Sequence, residues 1–168
     1  MDNDAIREYL KLLMGALAER TTGAEIQETE EAPVLLCSVK SPFEDGEETG
    51  FRFEITPLDD GLFVIEVMIF LFAGISDELM SGVEAIIARL NPVCDIGSFR
   101  TLDEGGYVLY TQGMIFDEEL DAALITETLG NTVTIMENNA ESMGRVIYRY
   151  LKGEALDKLL EEARGTEQ

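Results

Sequence analysis

Residues 62–72 read Leu62-Phe63-Val64-Ile65-Glu66-Val67-Met68-Ile69-Phe70-Leu71-Phe72. Ten of these eleven side chains are apolar, and Glu66 is the exception. The run is rich in β-branched and aromatic residues and sits between turn signals, so it reads as a strand. Even extended to Ile75 it is too short to span a bilayer. A strand apolar on both sides needs cover on both faces. A helix can supply one face, and another sheet, loop or subunit the other. Left open, such a face would be an aggregation hazard.

Working upstream, Pro57-Leu58-Asp59-Asp60-Gly61 is a turn, with Gly61 free to take positive φ. Residues 50–56 alternate: Phe51, Phe53 and Ile55 point one way, and Arg52, Glu54 and Thr56 the other. Ser41-Pro42 and the acidic stretch Glu44-Asp45-Gly46-Glu47-Glu48 form a loop. Residues 34–39 read as another strand. Residues 25–32 read as an acidic connection ending at Pro33. A first helix is predicted over 4–19, with Ile6, Tyr9, Leu10, Leu13 and Leu17 as its apolar stripe.

Downstream, Ser76 stands as an N-cap, and Asp77 and Glu78 complement the dipole of a second helix. Leu79, Val83, Ile86, Ile87 and Leu90 form its stripe, and Asn91-Pro92 ends it. Residues 93–102 and 107–116 read as a hairpin turning at Asp103-Glu104-Gly105-Gly106. Gly97 and Gly113 inside these strands mark bulges or close backbone approach. A long helix is predicted from Asp117-Glu118-Glu119 onward, continuous through Gly130. Its seam is Leu129, Val133, Met136, Ala140, Met143, Ile147 and Tyr150. Gly153 stops it, and residues 154–164 form a short last helix. The order α-β-β-β-α-β-β-α is an α+β layout: an antiparallel sheet packed by helices, with a long C-terminal helix. Residues 1–153 read as a single domain and 154–168 as a short helical tail.

The chain carries 34 acidic and 12 basic residues, no histidine and a formal charge of -22, yet 46% of it is hydrophobic. That balance describes a folded protein with an acidic surface. It argues against binding nucleic acid or anionic membrane. Ser-His and Cys-His nucleophiles are excluded by composition, and no GxSxG, Ser-x-x-Lys, Walker or dinucleotide-binding glycine pattern occurs. Cys37 and Cys94 stand far apart in apolar segments and read as buried reduced thiols. Lys40 lies three residues from Cys37, on the opposite face of a strand.

The acidic clusters Asp59-Asp60, Glu44 to Glu48, Asp103-Glu104 and Asp117 to Asp121 lack the spacing of a calcium loop and read as solvated turns and helix starts. Glu66 is the one acid inside an apolar strand. Burial there would raise its pKa and equip it for chemistry. The plainer reading has it at the rim or paired with Arg52 or Arg100. Arg145, Arg149 and Lys152 read as favourable charges near a helix C-terminus. Phe70, Leu71, Phe72, Met136 and Met143 supply more apolar surface than a minimal core demands, either as core or as a partner contact.

Leu90-Asn91 closing the second helix, Gly97 and Phe99, the turn Asp103-Glu104-Gly105-Gly106, and Tyr107-Val108-Leu109-Tyr110 before a long helix together carry a family resemblance. With this element order, the chain resembles the YbjN-like bacterial proteins, named as sensory transduction regulators, over roughly residues 4–152. Their fold is similar to that of type III secretion chaperones. The resemblance implies a small, acidic, homodimeric interaction protein and supplies no catalytic, cofactor-binding or metal-binding residues.

The expectation is therefore a non-enzymatic regulatory or chaperone-like module in the cytoplasm. It binds a protein partner and neither nucleic acid nor membrane, and it needs no cofactor. The alternative is a small-molecule sensor or carboxylate-based enzyme with Glu66 at its site.

Overall fold

The computed structural model describes residues 1–44 and 47–164. Asp45 and Gly46 of the predicted acidic loop, and the last four residues of the predicted tail, lie outside the described residues. The protein is α+β. Helix α1 (Asn3–Leu17) leads to strands β1 (Gly23–Gln27), β2 (Val34–Lys40), β3 (Glu48–Pro57) and β4 (Leu62–Phe72). Helix α2 (Asp77–Leu90) follows, then strands β5 (Ser98–Leu102) and β6 (Tyr107–Asp117), and helices α3 (Ala122–Leu151) and α4 (Leu156–Arg164).

The six strands form one antiparallel sheet in the order β1-β2-β3-β4-β6-β5. The first four strands make a meander. After β4 the chain crosses through α2 to the far edge, and β6 returns beside β4. By compactness the chain divides into two units. One comprises Met1–Ile69 and Gln112–Thr134; the other comprises Phe70–Thr111 and the described residues from Ile135 onward. β4, β6 and α3 each contribute to both.

β4 has the predicted bounds, and its alternation is complete. Phe63, Ile65, Val67, Ile69 and Leu71 are buried; the intervening residues are half-buried. In the first unit α1 packs against the buried side, with the Tyr9 and Phe63 rings 5.2 Å apart and Phe63 and Phe116 5.8 Å apart. Cys37 opposite Phe51 and Leu35 opposite Phe53 extend that buried side across β2 and β3. Asp60 and Gly61 have φ of 60° and 74° in the β3–β4 hairpin. Two consecutive left-handed residues match the right-handed twist of the strands they join. In the second unit Phe99 and Tyr110 meet edge to face at 4.7 Å. Asn139 of α3 donates to the Tyr110 hydroxyl at 3.2 Å.

Several expectations shift. The first three residues of the predicted acidic connection belong to β1, an exposed edge strand paired with β2 from Gly23↔Ser38 to Gln27↔Val34. Ile26 is its one large apolar residue, so no alternation announces it. β5 begins at Ser98 rather than 93. Pro92, lacking an N–H, sits in a 3-10 turn at Asn91–Val93, and Gly97 (φ 70°) turns the chain. Gly97 also lets the backbone pass close to the Thr111 carbonyl. α3 starts at Ala122, not at Asp117. β6 runs through Asp117, whose carboxylate accepts from the Glu119 N–H at 2.8 Å, and Asp121 accepts from the Ala123 N–H at 2.9 Å. Ser76 takes the N-cap position of α2 but makes no side-chain cap hydrogen bond. Leu79 is 37% exposed and leaves the stripe, where Gly82 takes its place. The helix over α3 is continuous through Gly130, as predicted.

Two glycines give opposite predictions. Gly106 (φ 59°) accepts from the Ile75 N–H at 3.1 Å, and a Cβ there would run into the Ile75 carbonyl. Gly106→Ala is expected to destabilise by about 1–3 kcal/mol in urea unfolding. A Cβ at Gly130 meets nothing within 4 Å. Gly130→Ala is expected to stabilise by about 1 kcal/mol, because glycine is a poor helix former. Equal midpoints for the two variants would contradict this reading.

Candidate functional site

The residues singled out by sequence fall in three places. The first is the half-exposed side of the sheet in the first unit. Leu36 and Arg52 are opposed across β2 and β3, and Glu54, Val64, Glu66 and Met68 share their side by alternation. Ile115 on β6 is 66% exposed. Glu66 is half-buried among apolar neighbours on its own strand. Arg52 is in an ion pair with Glu54 on its own strand, two residues along. Its Nε is enclosed and meets no acceptor among the described residues. A polar donor held this way is costly unless an acceptor reaches it. Arg100 lies on edge strand β5, opposite Leu109 and exposed.

The second place is an open groove of about 580 Å³ between α1 and the first half of α3, both in the first unit. Leu12, Ala16 and Arg20 line one side; Ala123, Glu127 and Gly130 line the other. Arg20 closes one end, its Nη1 donating to the Gly130 carbonyl at 3.1 Å and to Thr134 Oγ1 at 3.0 Å. Glu66 does not line this groove. Nothing in the sequence pattern announced it, because its walls come from distant parts of the chain: Arg20 and Gly130, which face each other, are 110 positions apart.

The third place is the C-terminal end of α3 in the second unit. Arg149 Nε and Nη2 donate to the two carboxylate oxygens of Glu154, both at 2.7 Å, and Nη1 donates to Glu162 at 2.6 Å. Lys158 donates to Glu154 at 2.6 Å. Arg149 and then Lys158 hold the Glu154 carboxyl at about 2, far below its ordinary value. Arg149 also lowers Glu162. Arg145 pairs with Glu141 at 2.5 Å, and the Lys152 ammonium lies 5.0 Å from the centre of the Tyr148 ring. The sequence marked Arg149 as a helix-end charge. Its carboxylate partners come from a separate helix and the turn before it.

Both cysteines are free thiols. Cys37 is buried, and burial pushes its thiol up to about 11. Cys94 is only half-buried, and burial raises its thiol as well. Its Sγ donates to the Leu90 carbonyl and lies 3.4 Å from Met143 Sδ. Among the described residues, no three of Cys, Asp and Glu cluster as metal ligands, and no helix is long and apolar enough to cross a membrane. Asp59, Asp60, Asp103, Glu104 and residues 118–121 lie in exposed turns, and Asp117 is the exposed end of β6.

The folded protein holds the Cys37 proton more tightly than the unfolded chain does. The stability this contributes is present below pH 9 and is lost as pH rises toward about 11. Cys37→Ala should flatten that alkaline fall, measured as urea midpoints across the window. Iodoacetamide should label Cys94 before Cys37 in the native protein, and equal rates would contradict their difference in burial. No protein-family model matches this chain, and no curated protein matches it.

Proposed function

We propose that this protein is a non-catalytic regulatory or chaperone-like module that binds a segment of another protein on the half-exposed side of its sheet. The observation that carries the reading is the second side of β4, where Val64 and Met68 stay half-exposed while every alternate residue is buried. Ile115 at 66% exposure adds to the same kind of surface. Apolar side chains held half-open on a rigid strand are what a recognition surface requires. A charge of -22 selects the partner's chemistry: an apolar segment carrying lysine or arginine. Glu54 and Glu66 supply acidic groups on this side.

The resemblance to the YbjN-like regulators and the secretion chaperone fold supports the same class of function. We further place the protein in the cytoplasm as a homodimer, with two free thiols suited to a reducing compartment. The carboxylate-enzyme alternative would need a second polar group working with Glu66 in a pocket, and the groove between α1 and α3 does not include Glu66.

The experiment is affinity capture from a native lysate with the wild-type chain and with the Met68→Asp, Ile115→Asp double variant, followed by titration of the captured protein. The variant should bind at least about tenfold more weakly, roughly the cost of placing charge in an apolar contact. Wild-type affinity should fall as salt rises. Identical recovery by both chains sinks the reading.

A further inference from the structure

α4 is nine residues long, below the length at which an isolated helix is stable in water. Its order therefore comes from what it rests on. Leu159 and Ala163 are buried, Leu156 and Leu160 are half-buried, and these four share one face. Asp157, Lys158, Glu161 and Glu162 are exposed. α4 packs against α2, whose own buried stripe is Val83, Ile86, Ile87 and Leu90. The second attachment is electrostatic: Arg149 grips Glu154 with two nitrogens and also takes Glu162. The link between α3 and α4 passes through Gly153 in the left-handed region (φ 95°), a position glycine tolerates at no cost. All of these parts belong to the second unit.

On a chain this acidic, the end of α3 is locally basic, with Arg145, Arg149 and Lys152 within eight residues. Without α4, Arg149 would lose Glu162, and the face of α2 that α4 packs on would lose its cover. The pair is thus a ready-made receptor, and α4 shows what it accepts.

We propose that the face of α2 that meets α4, together with Arg149, forms a docking site for an acidic amphipathic helix of a partner protein, which α4 occupies as a resident mimic until displaced. The occupant presents leucine or alanine at the spacing of Leu156, Leu159, Leu160 and Ala163. It places carboxylates where Glu154 and Glu162 sit. Such a helix lies in its groove by anchors three and four residues apart. Exposed ion pairs are weak one by one and are screened by salt, so α4 can be exchanged; Leu159 in its buried seat keeps the exchange selective. This site is separate from the sheet surface proposed above, and either can fail without the other.

Native-state hydrogen exchange on the full chain is the first test. Amides of α4 should exchange at least ~tenfold faster than those of residues 135–151, through local release of the helix. Raising salt from about 0.1 M to about 1 M should speed α4 alone. The second test uses a fluorescein-labelled peptide of residues 154–164 as probe. It should bind full-length Leu159→Asp protein ~tenfold more tightly than wild type, whose site is filled. Adding Arg149→Ala should weaken that binding and reduce its salt dependence. Amides of α4 that exchange only together with those of α3 overturn the proposal. So does a peptide that binds both chains equally, or neither. The exchange measurement needs no variant, so it decides even where Leu159→Asp perturbs the fold.

Discussion

Burial of one side of β4 is the constraint on which the rest of the structure depends. Phe63, Ile65, Val67, Ile69 and Leu71 are all buried. Each such side chain stabilises the fold by about 1.5–3 kcal/mol when removed from water. A domain retains only about 5–15 kcal/mol in total, so this single strand face is comparable to the whole margin. The connections on either side of β4 serve it. The Asp60-Gly61 hairpin brings β3 alongside with Phe51, Phe53 and Ile55 on the buried side. The crossover through α2 leaves a place beside β4 for β6 to fill.

The same strand creates the functional question. Its other side carries Val64, Glu66, Met68, Phe70 and Phe72, all half-buried. Evolution of a purely structural strand would face no obstacle to a polar outer side, as β3 illustrates with Arg52 and Glu54. Apolar residues kept there bear a solubility cost, and the acidic charge elsewhere offsets it. Most of that charge lies on turns and exposed helix faces. The Arg149 cluster is different, because two carboxylates converge on one guanidinium and tie a marginal helix to its neighbours.

Much of the fold was legible because period and punctuation agree. β4 is apolar throughout and bounded by a turn and by Gly74. α2 stops where Pro92 forces it to, and α3 keeps one seam through Gly130. The failures share a cause. β1 is an exposed edge strand held by backbone pairing to β2, and backbone pairing leaves no side-chain pattern. The acids at 117–119 look like a helix start, yet β6 reaches Asp117 and the true first turn waits for Asp121. Local propensity cannot tell where a strand's pairing ends, since the partner strand decides it. Leu79 has the spacing of a buried residue and is left out because the neighbouring elements do not reach it.

The candidate sites divide in the same way. Sequence alone determined the absence of histidine chemistry, the acidic character of the surface and the two-sided apolar nature of residues 62–72, because composition and alternation are local properties. It also marked Glu66, Arg52 and Arg149 as residues to watch. Only tertiary structure brought Arg149 to Glu162 and placed Gly130 over an open groove. An ion pair or a groove depends on distances between elements, and those distances follow from packing that no local run of residues encodes.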